Sequence, residues 1–495
     1  MRKGFSRFLC LSLLFSFLLS LFPQKGAAVE TASASGVIET DVGIQPFDYK
    51  RMISTRTENQ YNVKVETDGG TSKNARIHIR GCGSKEAGMM LPTKRLPIEL
   101  RFERASDFSA KIANSCVKFC NVVTPFELLA QHIAYDMFAF MGIPSPAHAF
   151  TFLQYNDVDF GLFFALEDIN GEFLAKHFRE PFGALYKGAE GEPSQPYAYS
   201  SWFGELRAVN DGDTEGIMQL LTALKEGEGY EAYLDVDEVL RFFACTAAYG
   251  GASSILTEQS NFFLYDNNGR FMLLPWDLSE AFSAEATQNG VDRFRMEFWE
   301  EAPPSPLFDL LMQKEENRER YHGYIREICD GFLAPAVFDP YFTSLAARAL
   351  PYLERDHTVW FNWETQAPED APDLPVTFRS LQTIVHEIHR NLLAQLDGSA
   401  DRFYVSPTLE ELREEIGDEM VYVVRNTFTM DRKITRKICK GYTSYCRSRG
   451  ISRFETGDPA EAVTAGAFFA LSFGLSVVFA RQKKQKKRTE EANNG

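Results

Sequence analysis

The sequence predicts an α+β protein with two lobes. Alternating, strand-like runs come first along the chain and amphipathic helical runs dominate later. With 495 residues, 44% of them apolar, the chain can bury one large core or two smaller ones. No internal repeat or low-complexity segment interrupts the pattern.

From Asn74, Ala75, Ile77 and Ile79 alternate with Arg76, His78 and Arg80, a strand that runs into the turn Gly81-Cys82-Gly83-Ser84. Leu96, Ile98, Leu100 and Phe102 repeat the alternation and give its neighbour. Thr124-Pro125-Phe126-Glu127 then opens a helix, with Thr124 as the cap, Pro125 in the first turn and Glu127 completing a capping box. Gly142 and Pro144 stop it. A hairpin follows, AFTFLQY and FGLFFALED about Asn156-Asp157, and Leu234 to Tyr249 reads as a helix. Between Phe262–Tyr265 and Phe271–Leu274, Asp266-Asn267-Asn268-Gly269 turns a second hairpin, whose expected pairing sets Asn261 opposite Leu274. Phe378, Leu381, Val385, Ile388, Leu392 and Leu396 recur at helical steps before Gly398. Within that helix His386 and His389 stand three apart, whereas a zinc-protease motif needs four, so both read as surface residues.

The ends of the chain carry their own signals. Arg2, Lys3 and Arg7 precede an apolar run from Phe8 to Phe22, and small residues follow at Gly26, Ala27 and Ala28: the layout of a secretory signal peptide. Ala462 to Ala480 is uncharged over a length that covers roughly 28 Å as a helix, enough to span a bilayer. RQKKQKKR follows at 481–488, and positive residues beside a span stay cytoplasmic. The expected organisation is therefore a signal peptide at 1–28, a polar leader and linker at 29–73, a folded body at 74–398, a helical juxtamembrane stem at 399–461, a transmembrane helix at 462–480 and a basic cytoplasmic tail at 481–495. The body would sit outside the membrane, anchored once.

The formal charge of −16 includes that basic tail, so the body is more acidic still. Nucleic-acid binding is disfavoured, and a cation or a basic protein partner is easier to accommodate. Removal of the signal leaves Cys82, Cys116, Cys120, Cys245, Cys329, Cys439 and Cys446, an odd number that requires a free thiol or an intermolecular bond. Cys439 and Cys446 are a candidate disulfide, and no cysteine spacing fits a zinc cluster.

Asn261 and Asp277 flank the second hairpin at its open end. An amide oxygen and a carboxylate in that position can share a hard cation such as Mg²⁺, the layout protein kinases use after the catalytic loop. The same residues at strand ends commonly make local hydrogen bonds instead.

The stretch NFFLYDNNGRFMLLPWDLSEAF (261–282) resembles the "NYYLY…G…PWD" signature of the CotH kinase family. RIHIRGCGS, LPTKRLPIELRF, MGIPSPAHAFTFLQYNDVDFGLFFALEDINGEFL, ALYKG and RNLLAQLDG resemble further family segments in the same order, so the likeness spans about residues 75 to 398. It implies a two-lobed, atypical protein-kinase-like fold that binds ATP with Mg²⁺ or Mn²⁺ and phosphorylates Ser in basic, Ser-rich proteins.

Carried over residue by residue, Asp277 would be the principal metal ligand and Asn261 its neighbour. Lys94 would face the phosphates, or be a solvated strand-edge lysine. Glu167 and Asp168 would lie at the interlobe hinge near the nucleotide, or serve as an acidic pair at a helix N-terminus. Arg80 would support the glycine turn, and Lys187 is a further phosphate-side candidate. Glu127 is accounted for by its capping box.

Two departures stand out. Cys82 replaces the Asn usual in the family's glycine turn. The loop GGASSILTEQS (250–260) lacks the family's catalytic Asp, leaving Glu258 as its only carboxylate and the candidate base. Two functions follow: a membrane-anchored extracytoplasmic kinase acting on basic envelope or coat proteins, or a non-catalytic surface scaffold or adhesin built on the same fold.

Overall fold

The computed structural model describes residues 36–398 and 430–449, apart from 55–58, 84–87, 90, 92–93, 123, 190–198, 201, 213, 251–253, 258, 283–304, 357–359, 363–366 and 370–373. A strand with apolar residues at every second position has one face to bury. Seven strands do so by closing on one another. They are β1 (Ile38–Gly43), β2 (Tyr61–Thr67), β3 (Lys73–Ile79), β4 (Ile98–Phe102), β5 (Cys116–Cys120), β6 (His148–Tyr155) and β7 (Val158–Glu167), in the order β1-β2-β3-β4-β5-β7-β6. The parallel pairing of β1 with β6 closes the barrel, and each of the other pairings is antiparallel. Ile77, Leu100, Val117, Phe119, Leu153 and Ala165 fill it, joined by Tyr49 and Met52 of α1 (Pro46–Ser54).

The stretch expected to be leader and linker thus supplies α1 and two barrel strands from Ile38 onward. Its signal was Tyr61, Val63 and Val65 at period two, buried while Asn62 is exposed.

A second core is separate from that of the barrel interior. It gathers α2 (Pro125–Phe140), α3 (Gly171–His177), α4 (Glu215–Glu226), α5 (Val236–Tyr249), α6 (Pro306–Met312), α7 (Glu315–Asp330), α8 (Pro335–Arg355) and α9 (Leu374–Leu396). Against them lies a five-stranded sheet, β12-β11-β8-β10-β9, made of β8 (Leu185–Ala189), β9 (Tyr199–Ser200), β10 (Gly204–Ala208), β11 (Phe262–Asn267) and β12 (Arg270–Pro275). A small ribbon, β13 (Trp360–Asn362) with β14 (Ala367–Glu369), stands apart. Thr124 caps α2 by accepting the Glu127 amide at 3.2 Å. Asn156 and Asp157 turn the first hairpin at positive φ.

In the β11–β12 hairpin, Asn267 pairs with Arg270 across Asn268-Gly269, both at positive φ as a tight primed turn demands. Phe263 therefore faces Leu274, a register two residues from the expected one. The ladder ends at Phe262–Pro275, and Asn261 and Asp277 leave its open end together.

The expected stem also departs from its reading. α10 (Met430–Arg449) folds back over the barrel: Ile438 joins the barrel core, and Arg449 binds Asp41, Glu66 and Asp157. Cys439 and Cys446 are free thiols. Seven residues of helix separate them by about 10 Å, beyond disulfide reach. His386 is half-buried and bonds Asp339 at 2.7 Å, so it is not a free surface residue. The expected signal peptide, membrane span and basic tail lie outside the described residues, among which no helix is long and apolar enough to cross a membrane.

Candidate functional site

Strand alternation sends every second residue of the barrel outward. On the wall that meets the second lobe, those positions carry charge. His78 of β3 pairs with Glu99 of β4, and Glu99 with Lys118 of β5. All three side chains are buried. Glu99 takes His78 Nε2 at 2.6 Å together with the Lys118 ammonium and the Arg101 guanidinium. Lys118 also reaches Asp168 Oδ1, just past β7, at 3.5 Å. Burial pulls the Lys118 ammonium down to about 8, with Asp168 opposing the shift.

The facing wall is the five-stranded sheet. Lys187 of β8 stands between Arg207 of β10 and Phe263 of β11. Its ammonium lies 5.0 Å from the Trp276 ring and 5.9 Å from that of Phe263. Burial holds it below the usual lysine range, while Asp277 and Asp168 act against that, so both carboxylates lie within its electrostatic reach.

Asp277 and Asn261 each sit at positive φ, 46° and 57°. Asp277 Oδ2 accepts the Gly83 amide at 3.2 Å. Its Oδ1 is buried with no hydrogen-bond partner among the described residues. Gly83 has φ 87°, and a Cβ there would meet Asn121 Oδ1 at 2.5 Å, so conformation and space both demand glycine. The turn is stapled from below, because Cys82 forms a disulfide with Cys120 of β5. Cys82 thus gives the turn a covalent link to the strand that carries Lys118. Replacing Cys120 with serine is expected to cost about 3 kcal/mol in urea unfolding, and to loosen hydrogen-exchange protection first at Gly83.

The other expected residues are placed as follows. Arg80 is exposed, and its charge acts on both Lys118 and Lys187. Asp168 faces the cluster. Glu167, one residue earlier on the strand, points the opposite way and accepts Ala147 N at 2.9 Å and Lys176 Nζ at 3.3 Å, a structural role in place of the nucleotide-side one. Lys94 is held by a backbone contact. Its ammonium donates to Met89 O at 2.7 Å and lines a small opening with Tyr49, Ile79 and Ile98, which belong to the barrel interior. Glu258 lies outside the described residues.

Sequence reading missed Lys118 and Glu99. Their signal was CVKFC and IELRF, in which charged residues alternate with apolar ones on strands whose other face is core.

A carboxylate with one buried oxygen that has no hydrogen-bond partner among the described residues, on the open hairpin end that Asn261 also leaves, is a hard-oxygen donor that suits a divalent cation. The residues present at this corner therefore fit such an ion, with Asp277 as the anionic donor and Asn261 as the neutral one.

No curated protein shows a significant match to the chain. The family model described as CotH kinase protein matches residues 127–386, which takes in Asp168, Lys187, Asn261 and Asp277 but begins after the glycine turn and Lys118. That match covers more than half of the chain, and the protein belongs to the CotH kinase family.

Proposed function

We propose that the chain is a membrane-anchored, extracytoplasmic kinase that transfers phosphate from ATP to Ser residues of basic envelope or coat proteins, with Mg²⁺ or Mn²⁺ as its metal. The observation that carries this reading is the buried Asp277 carboxylate oxygen, without a hydrogen-bond partner among the described residues, in a corner that also holds Lys187, Asp168 and the Gly83 turn. The divalent ion, when bound, would neutralise charge developing on the transferred phosphoryl group.

The protein's own groups divide the remaining work. Asp277 and Asn261 hold the cation. Lys187 and Lys118 supply positive charge to phosphate oxygens, and Glu99 with Asp168 keeps Lys118 in place. The Gly83 turn brings backbone close to Asp277 without a side chain in the way. Glu258 is the carboxylate offered to the substrate hydroxyl proton. The acidic body suits a basic substrate. The Cys82–Cys120 disulfide suits an oxidising compartment, in keeping with the export signal and the single apolar span read from the sequence.

A pH dependence follows from Lys118. A lysine pulled down to about 8 is cationic below that pH and neutral above it. Nucleotide affinity is therefore expected to fall above pH 8 by up to about tenfold per unit, well below the range where an ordinary lysine discharges. Titration of a fluorescent ATP analogue across this range checks it. Lys118→Arg, which keeps its charge, should flatten the profile.

A scaffold reading is favoured by one feature, the absence of Asp from the loop at 250–260. The full-length chain incubated with labelled ATP, Mn²⁺ and a basic Ser-rich protein separates the two. Label on serine supports the kinase. Nucleotide binding without label transfer leaves a nucleotide-sensing scaffold, and neither binding nor transfer leaves a plain one.

A further inference from the structure

Away from the cleft, three metal-ligating side chains converge in the protein interior. His132 and Asp136 lie one helical turn apart on α2, and His148 opens β6. His132 Nδ1 is 3.1 Å from Asp136 Oδ2, and His148 Nε2 is 3.3 Å from Asp136 Oδ1. All three side chains are nearly inaccessible to solvent.

The proton positions around His148 are constrained. Its Nδ1 lies 3.1 Å from Pro146 O, and a carbonyl only accepts, so Nδ1 bears the hydrogen. In the neutral ring Nε2 then holds a lone pair, and it faces a carboxylate oxygen that also only accepts. Two such acceptors at 3.3 Å repel, so either a second ring proton or a metal ion must join them. A ring whose far nitrogen donates to a backbone carbonyl is also how metal-bound histidines are oriented. Tyr341 of α8 completes the pattern by donating its hydroxyl to Asp136 Oδ2 at 2.7 Å. Phe150 packs against the His132 ring, and Phe164 and Tyr135 pack against that of His148.

We propose that His132, Asp136 and His148 form a structural site for a borderline-soft divalent ion of the zinc class, distinct from the hard-cation corner at Asp277. Two imidazole nitrogens and one carboxylate are donors that zinc takes readily, at bonds of about 2.0–2.2 Å. Neighbouring donors on a tetrahedral ion with such bonds lie about 3.3 Å apart, close to the 3.1 and 3.3 Å that separate the two imidazole nitrogens from the two oxygens of Asp136. The positive Arg348 acts on His132 from α8, and the Asp136 charge offsets it. The ion ties helix α2 to barrel strand β6 under the cover of α8, the junction between the two cores. Tyr135, adjacent on α2, lies against Asp277, so the staple also steadies one wall of the cleft.

The test is metal retention by the full-length chain, stripped with a chelator, loaded with Zn²⁺ and dialysed. Wild type and Asp277→Ala are each expected to keep about one zinc per chain, and His148→Gln to lose it. X-ray absorption at the zinc edge of loaded wild type should show imidazole scattering, a result that does not depend on any variant folding. Folded wild type that retains no zinc, zinc without imidazole scattering, or unchanged retention in a folded His148→Gln would each overturn the proposal and leave a proton in the cluster.

Discussion

Asp277→Asn will leave the protein folded and lower phosphate transfer to a basic Ser-rich substrate about a thousand-fold, the upper range for removing one transition-state charge stabiliser. The asparagine keeps an oxygen able to accept the Gly83 amide, the interaction through which Asp277 holds the glycine turn. What it removes is negative charge at an oxygen that is buried and has no hydrogen-bond partner among the described residues. Such an oxygen is costly unless a cation sits against it, so the loss should appear in metal binding and turnover rather than in stability. Label incorporation, Mn²⁺ titration and urea unfolding on the same two proteins check the separation. An unchanged transfer rate would remove Asp277 from the chemistry, and a large drop in unfolding free energy would make it a structural residue.

Asp356→Ala is expected to destabilise the protein by about 3–5 kcal/mol, a large part of a domain's usual margin. Asp356 ends α8 and is buried. Its Oδ2 accepts both Arg95 Nη1 at 3.0 Å and Leu162 N at 2.8 Å. Arg95 is wholly buried, donates Nε to Val122 O at 2.7 Å and stacks 4.6 Å over Phe163. Alanine would remove the carboxylate that faces that guanidinium in the interior. The pair fits because position 161 is glycine: a Cβ there would stand 2.7 Å from Asp356 Oδ1 and 2.8 Å from Arg95 Nη1. Replacing both partners, Arg95→Met with Asp356→Leu, should recover much of the loss, because the penalty comes from keeping the buried guanidinium without that carboxylate. Urea unfolding of the single and double variants measures it, and additive losses would count against the coupling.

Much of the fold was legible along the chain because its cues are local. Thr124 with Glu127 marks a helix start, Asn156-Asp157 and Asn268-Gly269 mark tight turns, and alternation marks β3, β4 and the two hairpins. Asp277 and Asn261 were found the same way, since a hairpin brings its two ends together without help from elsewhere. The staple between Cys82 and Cys120 was not legible. Nothing local says which of seven cysteines meet once the barrel closes.

The sequence by itself determined the mixed strand and helix character, the elements marked by clear caps, turns or alternation, and the polar pair at the open end of the second hairpin. It did so because period, caps and turns act over a few residues. Tertiary structure alone decided which lysine is which. Lys94 lies in the sequence region the resemblance favoured, yet it bonds Met89 and lines the barrel interior. Lys118, on a short strand between two cysteines, faces Glu99 and Asp168 because strand pairing places their side chains on one wall. Closure of the barrel also turned residues 38–67 from an expected linker into its first two strands, and drew α10 back across them. Those outcomes depend on pairings between distant residues, where a shift of one position sends a side chain to the opposite face, and no local pattern records that choice.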